Sequence, residues 1–227
     1  MAAYSIVDKI KIAAHITFIR IDPIDIQITL KEIFKSLSDL SWINDFDEEY
    51  VRKSFQVRAD ATIKYISENI IKASDDKITS DSGEYVISEL ARLSIINELK
   101  YSDIPLAELI KKQKSGNPGF DFYSKNTSNV LLFGEAKYLA AQNAYGSALK
   151  QIVRFINEAG DIGDLQDIDK FCCTVSLDNA IKKKKGYVAA FASKQTSTEQ
   201  LVSNIQENED FKILTGYEEI ICVSVNI

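Results

Sequence analysis

Along most of this chain the apolar residues change spacing in blocks, and each block predicts an element. The first residues, from Ile10 to Ile28, carry Ile-rich runs with alternating polar positions that read as extended strand, with Pro23 at an edge or a turn. A short helix is expected near Leu30–Leu40, followed by an acidic, loop-like stretch at Trp42–Tyr50. From Ala59 the period becomes helical, with Ile63, Ile66, Ile70 and Ile71 on one face. A second helix begins after Asp81 or Ser82, either of which suits an N-cap, and runs through Leu90 and Ile96 to about Leu99. Ile104–Ile110 fits no single period, and the turn residues of Lys114–Gly119 end it. Two strands are then expected at Phe120–Ser124 and Asn129–Lys137, an amphipathic helix from Ala140 to about Glu158, and a strand at Gly186–Ala192. A helix at Ser197–Glu209 and a last strand at Tyr217–Val225 complete the pattern. Helix, strands, helix, strand describes an α/β fold with a short mixed sheet between helices. Residues 1–58 are expected as an N-terminal extension and 59–227 as the main domain.

Composition bounds the function. With 45% apolar and 26% charged residues the chain can close a sizeable core, and no apolar run reaches the roughly 18 residues a membrane span needs. The N-terminus has charges at Asp8, Lys9 and Lys11 and no small-residue cleavage site, so it does not read as a signal peptide. The cysteines, Cys172, Cys173 and Cys222, lack zinc-site spacing and read as free thiols of a reducing cytoplasm. The one histidine, His15, lies in an apolar run and reads as a core residue. A net charge of −6 argues against strong free-standing binding to nucleic acid, because neutralising phosphates supplies most of that affinity. It leaves room for an enzyme with local basic groups, or one delivered to DNA by a partner.

The chemistry-bearing stretch is Gly119–Tyr138, GFDFYSKNTSNVLLFGEAKY. Alternation in its second strand puts Leu131, Phe133, Glu135 and Lys137 on one face and Leu132, Gly134 and Ala136 on the other, where small residues leave room for a helix. Across the hairpin the first strand offers Asp121 between Phe120 and Phe122. Two acids and a lysine beside aromatics are costly unless they pair or bind a metal, and converged carboxylates suit Mg²⁺ or Mn²⁺. Three other acid-x-Lys pairs occur, at Asp75–Lys77, Glu98–Lys100 and Asp210–Lys212, but only Glu135–Lys137 ends an apolar strand with an acid-bearing strand before it. An ordinary edge-strand salt bridge is the competing reading.

These residues resemble the PD-(D/E)XK nuclease superfamily, in which an acid on the second core strand and an acid-x-Lys on the third follow a first helix. Asp121 matches the first acid and Glu135-Ala136-Lys137 the second motif. The segments SGEY, GFDF and LFGEAKY, over roughly Asp81 to Phe155, resemble the nuclease subunit of the Hachiman anti-phage defence system, which works beside a helicase. The resemblance implies a core of helix, three strands, helix and strand. It also implies a metal-dependent DNA nuclease in which Asp121, Glu135 and the Ala136 carbonyl hold Mg²⁺ (or Mn²⁺) and Lys137 assists the attacking water. It adds an acid from the first core helix, Glu84 or its rival Glu89, and DNA contacts from Gln142 and Tyr145 on the following helix. The basic runs that include Lys111, Lys112 and Lys114, and Lys182–Lys185, are candidates for contact with the DNA backbone if they flank one cleft. The alternative is a catalytically inactive adaptor of nuclease-like fold that couples to a DNA motor.

Overall fold

The computed structural model describes residues 4–67, 80–111 and 119–227, apart from the side chains of Ile26 and residues 80–82. Six strands form one mixed sheet: β1 (Tyr4–Ala13), β2 (Ile16–Pro23), β3 (Phe122–Lys125), β4 (Leu131–Lys137), β5 (Lys185–Ser193) and β6 (Glu219–Asn226), in the order β1-β2-β6-β5-β4-β3. The four inner strands β2, β6, β5 and β4 are parallel, and each outer strand pairs antiparallel with its neighbour. Helices flank the sheet, and the architecture is α/β as expected.

Residue choice follows position in the sheet. In β5 every residue is buried, and its run of Gly186, Val188, Ala189, Ala190 and Ala192 suits a strand covered on both faces. By contrast β1 is largely exposed and carries Asp8, Lys9 and Lys11, charges that discourage another chain from pairing with an open edge. At the opposite edge β3 is four residues long, which limits the same hazard.

The N-terminal residues are built into the sheet. Ile16–Ile21 of β2 pair in parallel with Ile220–Val225 of β6, and Phe18, Ile19 and Ile21 are fully buried in the common core. A boundary at residue 58 falls inside a helix, since α2 spans Glu49–Ile66. That helix starts ten residues before the expected Ala59, because Val51 and Phe55 continue the buried face of Ala59, Thr62 and Ile66 upstream. The acids at Asp47–Glu49 read locally as loop, yet they suit the positive end of a helix dipole. Of the residues expected on this helix, Ile70 and Ile71 lie outside the described part. His15 sits in the β1–β2 turn, not in the core; its Nε2 is 3.0 Å from the Thr215 carbonyl.

The remaining α-helices are α1 (Ile26–Ser38), α3 (Ser80–Leu99), α4 (Ala107–Ile110), α5 (Tyr145–Asn157), α6 (Gly160–Gly163), α7 (Leu165–Ile168), α8 (Thr174–Ile181), α9 (Thr198–Glu207) and α10 (Glu209–Leu214). α3 packs on β3 and β4 and reaches β5 and β6, while α5 packs on β4 and β5 with α10 against it. Among the described residues two strands, β3 and β4, lie between α3 and α5, where the resemblance implies three. The small residue Gly134 serves a neighbouring strand: the ring of Phe122, its pairing partner, stands 2.4 Å from where a Cβ would be. Among the described residues no helix is long and apolar enough to cross a membrane.

Candidate active site

β3 and β4 bring Asp121, Glu135 and Lys137 together. The ladder pairs Phe122 with Gly134, so Asp121, one residue before β3, comes opposite Glu135. Asp121 is held by its own backbone: its N–H donates to the Gly134 carbonyl (2.9 Å), and its carbonyl accepts from the Ala107 N–H (2.9 Å). Its carboxylate Oδ2 accepts from the Ala136 N–H at 2.8 Å. Glu135 is fully buried at the end of the apolar strand, and Oε1 lies 2.8 Å from Lys137 Nζ. Its Oε2 has no hydrogen-bond donor among the described residues. Lys137 Nζ also reaches Glu84 Oε1 of α3 at 3.3 Å.

Glu84 is thus the helix acid that meets the cluster, and Glu89 is committed elsewhere. The Arg92 guanidinium grips Glu89 with both arms, Nε to Oε2 at 2.7 Å and Nη2 to Oε1 at 2.8 Å, and Ser36 Oγ donates to it at 2.5 Å. Five residues of helix separate the two acids, enough to turn them to different neighbours.

A fourth acid carries no signal in the local sequence. Glu108 of α4 has a buried Oε2 without a hydrogen-bond partner among the described residues, and burial, reinforced by Asp121, pushes its carboxyl up to about 8. Burial likewise pushes Asp121 up to about 6, against the pull of Lys137 and the Ala136 N–H. Glu135 is raised well above the usual carboxylate range by burial and then by Asp121. Lys137 loses hydration, but Glu135 and Asp121 outweigh that loss and hold its ammonium charged. The Tyr85 phenol is raised by burial and by Glu108, Asp121 and Glu84 around it. Asp121, Glu135 and Glu108 are buried together with Glu84 beside them, and the charges of Lys137 and Lys111 do not offset the cost of burying those carboxylates. Such a cluster keeps protons or takes up a cation.

The expected DNA contacts separate. Gln142 and Tyr145 do not share a helical face, because α5 starts at Tyr145 and Gln142 is exposed in the loop before it. The Tyr145 ring packs edge-on against Phe191, 6.0 Å between centroids. Lys112 and Lys114 lie outside the described residues. Lys111 is not a surface contact: it is buried and bonds Asp164 Oδ1 at 2.9 Å and the Phe120 carbonyl at 3.3 Å. Lys185 is buried against Asp161, 2.5 Å away, leaving Lys182–Lys184 exposed. Both buried lysines read locally as parts of basic runs, and only the distant aspartates explain them.

Asp164 supports the segment that carries Asp121. Its Oδ2 accepts from the Phe120 N–H at 2.9 Å and from the Tyr123 hydroxyl at 2.7 Å. Next to it Gly119 has φ +132°, and a Cβ there would stand 2.4 Å from Asp164 Oδ1 and 2.5 Å from Lys111 Nζ. Only glycine fits that conformation and that gap.

Among the described residues, no group of three or more His, Cys, Asp or Glu side chains is arranged as a ready metal cage. Mg²⁺ does not require one, since it commonly keeps several waters and takes one or two carboxylates. The orphaned Glu135 Oε2 and the adjacent Asp121 carboxylate meet that smaller demand. The Ala136 N–H points to the Asp121 side of β4, and the carbonyl of the same residue points to that side too. The donor set is all oxygen, which suits a hard divalent ion. No protein-family model, curated protein or solved structure matches this chain.

Proposed function

We propose that this chain is a metal-dependent nuclease that hydrolyses DNA phosphodiesters at Asp121, Glu135 and Lys137. The observation that carries the reading is the desolvated carboxylate of Glu135, whose Oε2 lacks a donor among the described residues while Asp121 stands opposite and Lys137 beside it. An orphaned buried carboxylate costs several kcal/mol unless something neutralises it, and a divalent cation does so while leaving room for substrate.

Asp121, Glu135 and the Ala136 carbonyl would hold Mg²⁺ or Mn²⁺. The ion would lower the pKa of a bound water and polarise the phosphoryl oxygen. Asp121 keeps its carboxylate oriented through the Ala136 N–H, so little has to reorganise during reaction. Lys137, drawn between Glu135 and Glu84, positions the attacking water and stabilises charge developing on the phosphoryl oxygens. Glu84 steers the lysine. The acidic net charge motivates a partner that delivers DNA, and the resemblance to the Hachiman nuclease subunit supports a helicase in that role within an anti-phage system.

The test is Mg²⁺-dependent cleavage of DNA by the purified chain, alone and with a helicase partner. Glu135→Ala and Lys137→Ala are each expected to lower the rate by at least about 100-fold with the fold retained, the scale of losing a group that acts in the transition state. Full activity in the double variant would sink the assignment. The acidic charge also favours the adaptor reading, and absence of cleavage under both conditions, with DNA-dependent partner binding kept, would establish that reading instead.

A further inference from the structure

The carboxyl ends of the parallel strands β4, β5, β6 and β2 form one edge, and beyond it opens a cleft of about 860 Å³. In parallel sheets this edge is where ligands collect. Its lining includes Arg20 of β2, Lys194 just after β5, and Gln142, Asn143, Thr196 and Asp22.

The charges in this cleft are unusual for a chain with 33 acidic and 27 basic residues. Arg20 is held through Nε on Asn226 Oδ1 at 2.9 Å and Nη1 on Thr198 Oγ1 at 3.1 Å, and the Thr198 hydroxyl donates in turn to Asp8, which lies opposite Arg20 across β1 and β2. Lys194 lies over the Tyr138 ring, 5.1 Å from its centroid, and donates to the Ile227 carbonyl. Among the described residues neither makes an ion pair with an Asp or Glu. Two cations are therefore fixed at the cleft by polar contacts without a direct ion pair, against one lining acid, Asp22, an arrangement that suits an anionic ligand. The polar scaffold around them is prepared: Asn143 Nδ2 donates to Thr196 Oγ1 at 2.9 Å, and the Lys194 N–H donates to Asn143 Oδ1 at 2.7 Å.

The cleft continues from the candidate active site. Tyr138, which supports Lys194, directly follows Lys137, and Gly83 beside Glu84 makes room for its ring, 2.3 Å from where a Cβ would be. From β4 to β2 there are three strand spacings, about 14 Å, which is roughly four nucleotide steps of a stacked strand. We propose that Lys194 and Arg20 form a backbone-binding subsite that holds phosphates of the DNA strand beyond the bond cut at Lys137. The proposal rests on the nuclease reading and names how that site takes hold of its substrate without reading sequence.

Its test is cleavage of a fluorescein-labelled single-stranded oligonucleotide in Mg²⁺, with anisotropy titrations of the same oligonucleotide in EDTA, over a series of salt concentrations. Lys194→Gln is expected to raise KM about 10-fold with kcat little changed. It should also reduce the slope of log affinity against log salt by about 0.7, the value for one phosphate contact on a single strand. Lys194→Arg should restore both, and Asp22→Asn, which removes an exposed negative charge from the lining, should lower KM. A wild-type chain that cleaves DNA, with Lys194→Gln unchanged in KM and salt slope, would overturn the subsite and leave the nuclease reading standing. A wild-type chain that neither binds nor cleaves DNA, alone or with a helicase partner, would overturn both.

Discussion

Replacing Glu108 by glutamine should make the metal-free protein more stable near pH 8 and flatten its response to pH. In the unfolded chain this carboxyl releases its proton near 4.5; in the fold, burial and the neighbouring Asp121 delay release to about 8. Between those values the folded state binds more protons than the unfolded state, so stability falls as pH rises. The penalty is absent below about 4.5 and complete above about 8. Each pH unit in that window is worth about 1.4 kcal/mol per proton, and the roughly 3.5 units from 4.5 to about 8 set an upper bound of about 5 kcal/mol. Asp121 and Glu135 are displaced in the same direction and add to the same slope. A glutamine side chain keeps the shape, carries no charge, and removes the Glu108 contribution.

The assay is urea unfolding in EDTA at about pH 5, 6, 7 and 8, spanning the titration window. The one tryptophan, Trp42, reports it well, packed 5.4 Å from Phe55 and 5.5 Å from Phe171 between ring centroids. Wild type should lose stability steadily from the acidic to the basic end, and the variant should lose a few kcal/mol less. Wild-type stability that is flat or rises with pH, at a constant denaturant slope, refutes the buried-carboxylate account. So does a variant that keeps the full wild-type decline.

Other substitutions separate support from chemistry. Gly119→Ala forces a left-handed φ and a Cβ against Asp164 and Lys111, so thermal unfolding should show a loss of about 2–4 kcal/mol, combining backbone strain and overpacking. Glu89→Ala leaves the Arg92 guanidinium buried without its principal partner and should cost about 3–5 kcal/mol in denaturant unfolding. Glu84→Ala, at a half-exposed carboxylate, should leave stability within about 0.5 kcal/mol while lowering DNA cleavage, so the two acids of α3 give opposite results in the two assays.

How far these features can be read in the sequence depends on the range of the interaction behind each. Asp121, Glu135 and Lys137 are legible because a two-residue period and one hairpin are enough to place them. Glu108 is not, since it reaches Asp121 only through the bond from the Ala107 N–H to the Asp121 carbonyl, and no local spacing announces that. Lys111 and Lys185 read as solvated because their neighbours in sequence are basic. Lys111 meets its partner 53 residues further along, in an acidic stretch that by itself also reads as surface. The N-terminal strands are legible as strands but not as members of this sheet. Pairing of β2 with β6 joins the two ends of the chain, and it is what brings Arg20 to the edge beyond Lys137.

The site also divides into parts that are fixed and a part that can respond. Asp121 is tied through its N–H, its carbonyl and its carboxylate to Gly134, Ala107 and Ala136, and the preceding Phe120 N–H is tied to Asp164. Moving that carboxylate means breaking backbone bonds in β3, α4 and β4 together, at about 1 kcal/mol net for each bond and more where a buried group is left unpaired. Lys137 has no such ties; its ammonium is held by Glu135 and Glu84, two charges on a flexible stem. Neutralising Glu135, by a proton or by a cation, removes the strongest of the attractions on the lysine and leaves Asp121 and Glu84 to hold it. The tied carboxylate of Asp121 is thus the fixed part of the cluster and the ammonium of Lys137 the part that can respond.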